Sequence, residues 1–133
     1  MIARSAAWSD SRDNLHRVDD SIVRAAAEVV VIAGFGYDPR HRQDIQRLAN
    51  ERDADRVADL AALLADVRED SNDVAMMELP SVSLVFLRDR RVLAEIGLLA
   101  GSTWVREAGQ GDHRLVRPDA VRQWLEDLNV HVR

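Results

Sequence analysis

Residues 82–99 hold two consecutive strand patterns that are apolar on both sides, and this restricts the folds open to the chain. Val82, Leu84 and Phe86 alternate with Ser83, Val85 and Leu87. Asp89-Arg90 is a two-residue turn, and Arg91 to Leu99 returns with Val92, Ala94, Ile96 and Leu98 on one face. A hairpin with one wet face would carry polar residues at every second position. This one does not, so it is expected in the middle of a sheet that is covered on both sides.

The flanking segments supply the cover. Val29-Val30-Val31-Ile32 is a β-branched run suited to a buried strand, with a helical stretch from Ser21 before it. Gly34-Phe35-Gly36-Tyr37 reads as a turn. Asp38-Pro39 reads as an N-cap and first helical position, which predicts a helix with Ile45, Leu48 and Ala49 on one face. Asp53 caps a second helix, in which Val57, Leu60, Leu64 and Val67 form the apolar stripe. Ser71-Asn72-Asp73 is a loop, and Val74 to Leu79 is a short strand ended by Pro80. A further strand is expected around Trp104 and Val105, and a loop at Gly109-Gln110-Gly111. Pro118 opens a last helix with Val121, Trp124, Leu125 and Leu128 on its buried face, closed by Asn129 in the left-handed conformation. The expected architecture is α+β: a three- to four-stranded, mainly antiparallel meander with helices packed on it and a C-terminal helix. Residues 21–133 form the single domain, and the polar residues 1–20 form a flexible N-terminal arm.

Composition bears on chemistry more than on fold. The 133 residues contain no Cys, and all 18 basic residues are Arg. Thiolate zinc sites, thiol nucleophiles, lysine Schiff bases and the Walker-type phosphate lysine are therefore excluded. The net charge of −5 disfavours general nucleic-acid or anionic-membrane binding. No apolar run is long enough to cross a membrane, and residues 1–10 lack the apolar core of a signal peptide. A cytoplasmic protein is expected, from a bacterium of high GC content, given the preference for Arg, Ala, Asp and Val.

Each candidate site has a plain structural reading beside it. Gly34-x-Gly36 resembles the start of a dinucleotide fingerprint. However, Pro39 stands where the third glycine belongs, and Asp38 would repel a phosphate. The four histidines, His16, His41, His113 and His131, have no metal-ligand spacing, so neither a metal nor a cofactor is expected. His113 with Asp112, Arg114 and Arg106 is the one cluster with the makings of an acid–base and anion site. Gly101-Ser102-Thr103 lacks the nucleophile-elbow pattern and reads as a turn. Arg88, Arg90 and Arg91 around the hairpin turn could dock a carboxylate or phosphate, or could simply be solvated. Trp104 shares a strand face with Ser102 and Arg106, and Trp8 stands in the polar arm. Both are candidate contact residues for a partner.

From Val57 onward the chain resembles a poorly characterised family of small bacterial proteins. The matching features are Leu60-Ala61-Ala62-Leu63-Leu64, the hairpin, Ile96-Gly97-Leu98 leading to Gly101-Ser102, and Val121-x-x-Trp124-Leu125. That family carries a Cys near the start of the meander and a His pair before the glycine. Here those places hold Ala75-Met76-Met77 and Leu99-Ala100. The resemblance implies a binding or scaffold member and transfers no site residue.

The expected function is therefore a non-enzymatic protein–protein interaction module of immunity, antitoxin or adaptor type. Its partner would be another protein such as a toxin or effector, with a homodimer as a further option. The alternative is a small-molecule enzyme or ligand-binding domain using His113, Asp112, Arg114 and Arg106.

Overall fold

The computed structural model describes residues 23–38, 45–68, 78–107 and 111–132. The expected arm with Trp8, the loop at Ser71-Asn72-Asp73, residues 74–77 of the expected Val74–Leu79 strand and residues 109–110 of the glycine loop lie outside the described residues, while Glu78 and Leu79 are irregular chain rather than strand.

Six strands form one antiparallel sheet. They are β1 (Glu28–Ala33), β2 (Arg47–Glu51), β3 (Val82–Arg88), β4 (Arg91–Leu99), β5 (Trp104–Glu107) and β6 (Asp112–Arg114), and the spatial order is β2-β1-β3-β4-β5-β6. Among the described residues, the helices α1 (Ala54–Ala65) and α2 (Pro118–Glu126) pack on one face of it. The α+β class is as expected, but the sheet is wider than the predicted three or four strands.

β1 and β3 pair over six residues, from Glu28↔Leu87 to Ala33↔Val82, and form the centre. Val29, Val31, Leu84 and Phe86 face the helices, where Val57, Leu60, Leu64, Trp124 and Leu125 cover them. Val30, Ile32, Val85 and Leu87 point the other way, into a second, smaller cluster with Tyr37, Ile45 and Val92. The predicted two-sided burial of the hairpin thus arises from unequal covers: two helices on one side, irregular chain on the other.

Three details correct the sequence reading. The helix expected after Asp38-Pro39 is, at residues 47–51, strand β2. Pairing with β1 satisfies backbone groups along what would otherwise be a bare sheet edge, and this outweighs a modest helical spacing. Val92 does not share a face with Ala94, Ile96 and Leu98. A register shift after Phe86 pairs Phe86 with Ala94 but Leu87 with Val92, so Val92 turns to the helix-free side. Finally, Asp112–Arg114 is a short strand, which sequence patterning did not mark.

The turns follow their residues. Asp89 and Arg90 both have positive φ (52° and 67°), as a type I′ hairpin turn requires. Asn129 (φ 63°) closes α2, and the Val130 N–H donates to the Leu125 carbonyl. α1 starts at the β2 edge and its continuation reaches the opposite edge, where Val67 bridges Leu115. Arg56 ties the pieces together. It pairs with Glu51 and Asp127, donates to the Trp124 carbonyl and stacks 4.8 Å from the Trp124 ring. The Trp124 indole N–H donates back to the Arg56 carbonyl at 2.8 Å.

The Asp53 carboxylate caps α1 by accepting from the N–H groups of Asp55 and Arg56 at 2.9 and 3.1 Å. Asp53→Ala is expected to cost about 1 kcal/mol in urea denaturation. An unchanged midpoint would contradict the cap.

Candidate functional site

The face of the sheet on which no helix of the described residues packs, called the helix-free face, is where the chain leaves chemistry accessible. Strand alternation and register place Ile32 and Val30 of β1, Ser83, Val85 and Leu87 of β3, Glu95 and Gly97 of β4, Arg106 of β5 and Asp112 of β6 on this side. Residues 34–38 cross it. Gly34 and Gly36 take positive φ (82° and 84°), which lets the chain fold back over the strand it has just left. Glu95 holds the crossing in place: its carboxylate accepts from the Gly36 N–H at 2.6 Å and the Tyr37 N–H at 2.8 Å. The buried Ser83 hydroxyl donates to the Gly34 carbonyl at 2.6 Å.

On one side of this crossing lies an apolar hollow of about 340 Å³, lined by Phe35, Gly36, Leu79, Pro80, Ser83, Glu95, Gly97 and Arg106. Gly97 makes room for Pro80, because a Cβ there would collide with the proline ring. Phe35 and Leu79 are 52% and 69% exposed, the two most exposed large apolar side chains among the described residues. Such side chains on a rim have no packing reason to be apolar.

Arg106 builds one wall. Its Nε and one terminal nitrogen donate to the two Asp112 carboxylate oxygens at 2.6 and 2.8 Å, a bidentate pair. Another terminal nitrogen donates to the Glu78 carbonyl at 3.0 Å, beside Leu79. The hydrogen bond that Arg106 donates to Asp112 is the main cause that raises the Arg106 pKa above its ordinary value. Partial burial opposes it, and the Asp112 and Glu78 charges add to it. Asp112 itself is 2% exposed.

The remaining expected site residues fall in separate places. His113 is buried and pairs with Val105, so it faces the helices, away from the Arg106–Asp112 pair next to it in register. Arg114 returns to the Arg106 side but is exposed, opposite Trp104. The four residues named for an acid–base site are therefore split between two faces of the sheet. Half-buried Trp104 lies toward the β6 end of the helix-free face. Ser102 is fully buried in a turn where Ala100, Gly101 and Ser102 all have positive φ. Arg88 donates to the Ala25 carbonyl and pairs with Arg91 in the β3–β4 register. Arg90 lines a different, polar hollow on the far side of the 34–38 crossing.

Sequence reasoning passed over Phe35, Leu79, Glu95 and Gly97. Two of them were signalled: Glu95 and Gly97 are an acid and a glycine inside an otherwise apolar strand, where each weakens the strand unless a neighbour needs it. No group of three or more His, Asp or Glu able to hold a metal occurs among the described residues. No helix among them is long and apolar enough to cross a membrane. No family model, curated protein or solved structure matches the chain.

Arg106→Met leaves the Asp112 carboxylate buried without its bidentate partner. It is expected to destabilise the fold by roughly 3 kcal/mol, and Arg106→Met with Asp112→Leu by clearly less. Equal losses in single and double variants would show that the pair is not the stabilising unit.

Proposed function

We propose that the protein is a non-enzymatic interaction module of a bacterial cytoplasmic system, of immunity, antitoxin or adaptor type. Its binding face is the helix-free side of the sheet. The observation that carries this reading is the pair of exposed side chains, Phe35 and Leu79, on the rim of an apolar hollow that no helix among the described residues covers. Large apolar side chains beside a concave apolar floor are the usual core of a protein interface. The rim is held still by Glu95 on the Phe35 side and by Arg106 on the Leu79 side, which lowers the ordering cost of association.

The charge of the chain defines the partner further. With a net charge of −5, the module suits a basic protein that presents an apolar side chain, and the opposite charges speed encounter. The separation of His113 from Arg106 and Asp112 removes support from the catalytic alternative, since an acid–base pair must reach one substrate atom together.

The test is affinity capture from extracts of the source cells, with light scattering on the purified chain. Phe35→Glu with Leu79→Glu is expected to abolish capture of the partner while the melting temperature stays within a few degrees, because both side chains are exposed. Val116→Glu, at an exposed apolar residue between β6 and α2, is the control and should retain the partner. Equal capture by the double variant, or association only of the chain with itself, would overturn the reading.

A further inference from the structure

The second hollow on the helix-free face has a different character. It has a volume of about 280 Å³ and is lined by Glu28, Val30, Tyr37, Arg47, Arg52, Leu87 and Arg90. Three arginines and one glutamate line it, a local excess of positive charge in a chain whose net charge is −5. The three arginines come from separate places: Arg47 from β2, Arg52 from the segment after it, and Arg90 from the β3–β4 turn.

Their commitments within the fold are unequal. Arg52 pairs with Glu28 at 3.2 Å, on the same carboxylate oxygen that accepts from the Asn50 side chain. Arg47 donates to the Tyr37 hydroxyl at 2.8 Å and lies 5.7 Å from the centre of its ring, which orients the guanidinium without neutralising it. Arg90 makes no hydrogen bond or ion pair among the described residues. It also occupies a turn position with φ 67°, where glycine or asparagine would be the unstrained choice. The fold gains nothing visible from an arginine there. The floor of Val30 and Leu87 is apolar, which strengthens any charge interaction made above it.

We propose that this hollow is a binding site for an oxyanion, a phosphate monoester or a carboxylate, held between Arg90 and Arg47 with Arg52 and the Tyr37 hydroxyl at its border. Guanidinium groups bind both anions through paired N–H donors, and their charge persists at any working pH. The site is distinct from the apolar hollow and does not depend on the interface reading.

The experiment is an amide NMR titration of the full chain with inorganic phosphate and, separately, with succinate, against chloride at constant ionic strength. Saturable shifts confined to residues around Arg47, Arg52 and Arg90 are expected. Saturation by phosphate alone assigns a phosphate ligand, by succinate alone a carboxylate ligand, and by both the shared oxyanion chemistry. Arg90→Gln should weaken binding at least ten-fold, and Arg91→Gln, on the same turn, should leave it unchanged, with each spectrum also reporting that the variant is folded. Absence of saturable shifts with either anion, or the same affinity in Arg90→Gln as in the unaltered chain, would overturn the assignment.

Discussion

The pairing of β1 with β3 governs the structure. Both strands are buried on both sides, so their six-residue pairing leaves apolar surface that must be covered twice. α1 and α2 meet one of these demands with a continuous core that runs from Val29 to Trp124. The other demand is met by a much smaller cluster, in which Tyr37 and Ile45 pack on Val30, Ile32, Val85 and Leu87, with Val92 of β4 beside them. Irregular chain covers less area than a helix and leaves gaps. The two hollows are the spaces on either side of the 34–38 crossing.

This asymmetry separates stability from function. The helix side carries the large buried side chains and the Arg56 clamp between β2, α1 and α2. The helix-free side carries exposed Phe35 and Leu79, the arginine group and the polar supports that keep the irregular chain in place. Those supports are costly types of residue to put on a sheet face, namely a glutamate, a buried serine and a buried aspartate. Each is satisfied: Glu95 by two backbone amides, Ser83 by a carbonyl and Asp112 by Arg106. A cover of plain apolar residues would have been simpler, and would have left no hollow.

The legible parts of the fold were those whose signals are local. The Asp53 cap, the Val57 to Leu64 stripe, the Asp89-Arg90 turn and the Pro118 helix start each lie within a few residues of their cause. β2 was not legible, because its five residues are strand only through pairing with β1, some 15 to 22 positions earlier. Val92 was assigned to the wrong face, because a register shift cannot be read from alternation alone. The site followed the same rule. Asp112, His113 and Arg114 looked like one cluster while no strand was assigned to them, and a strand necessarily sends His113 the opposite way from its neighbours. Arg90 was marked as an anion contact, but its companions Arg47 and Arg52 lie about forty residues away and meet it only across the sheet.

The account rests on the 34–38 crossing being a held element that divides the helix-free face, and amide hydrogen exchange measures this directly. The Gly36 and Tyr37 amides are expected to exchange more slowly than free peptide. Glu95→Ala should release both while leaving β1 and β3 amides as protected as before. Exchange of Gly36 and Tyr37 at free-peptide rates in the unaltered protein would mean that the segment is not held, and that the two hollows are not built features of the fold.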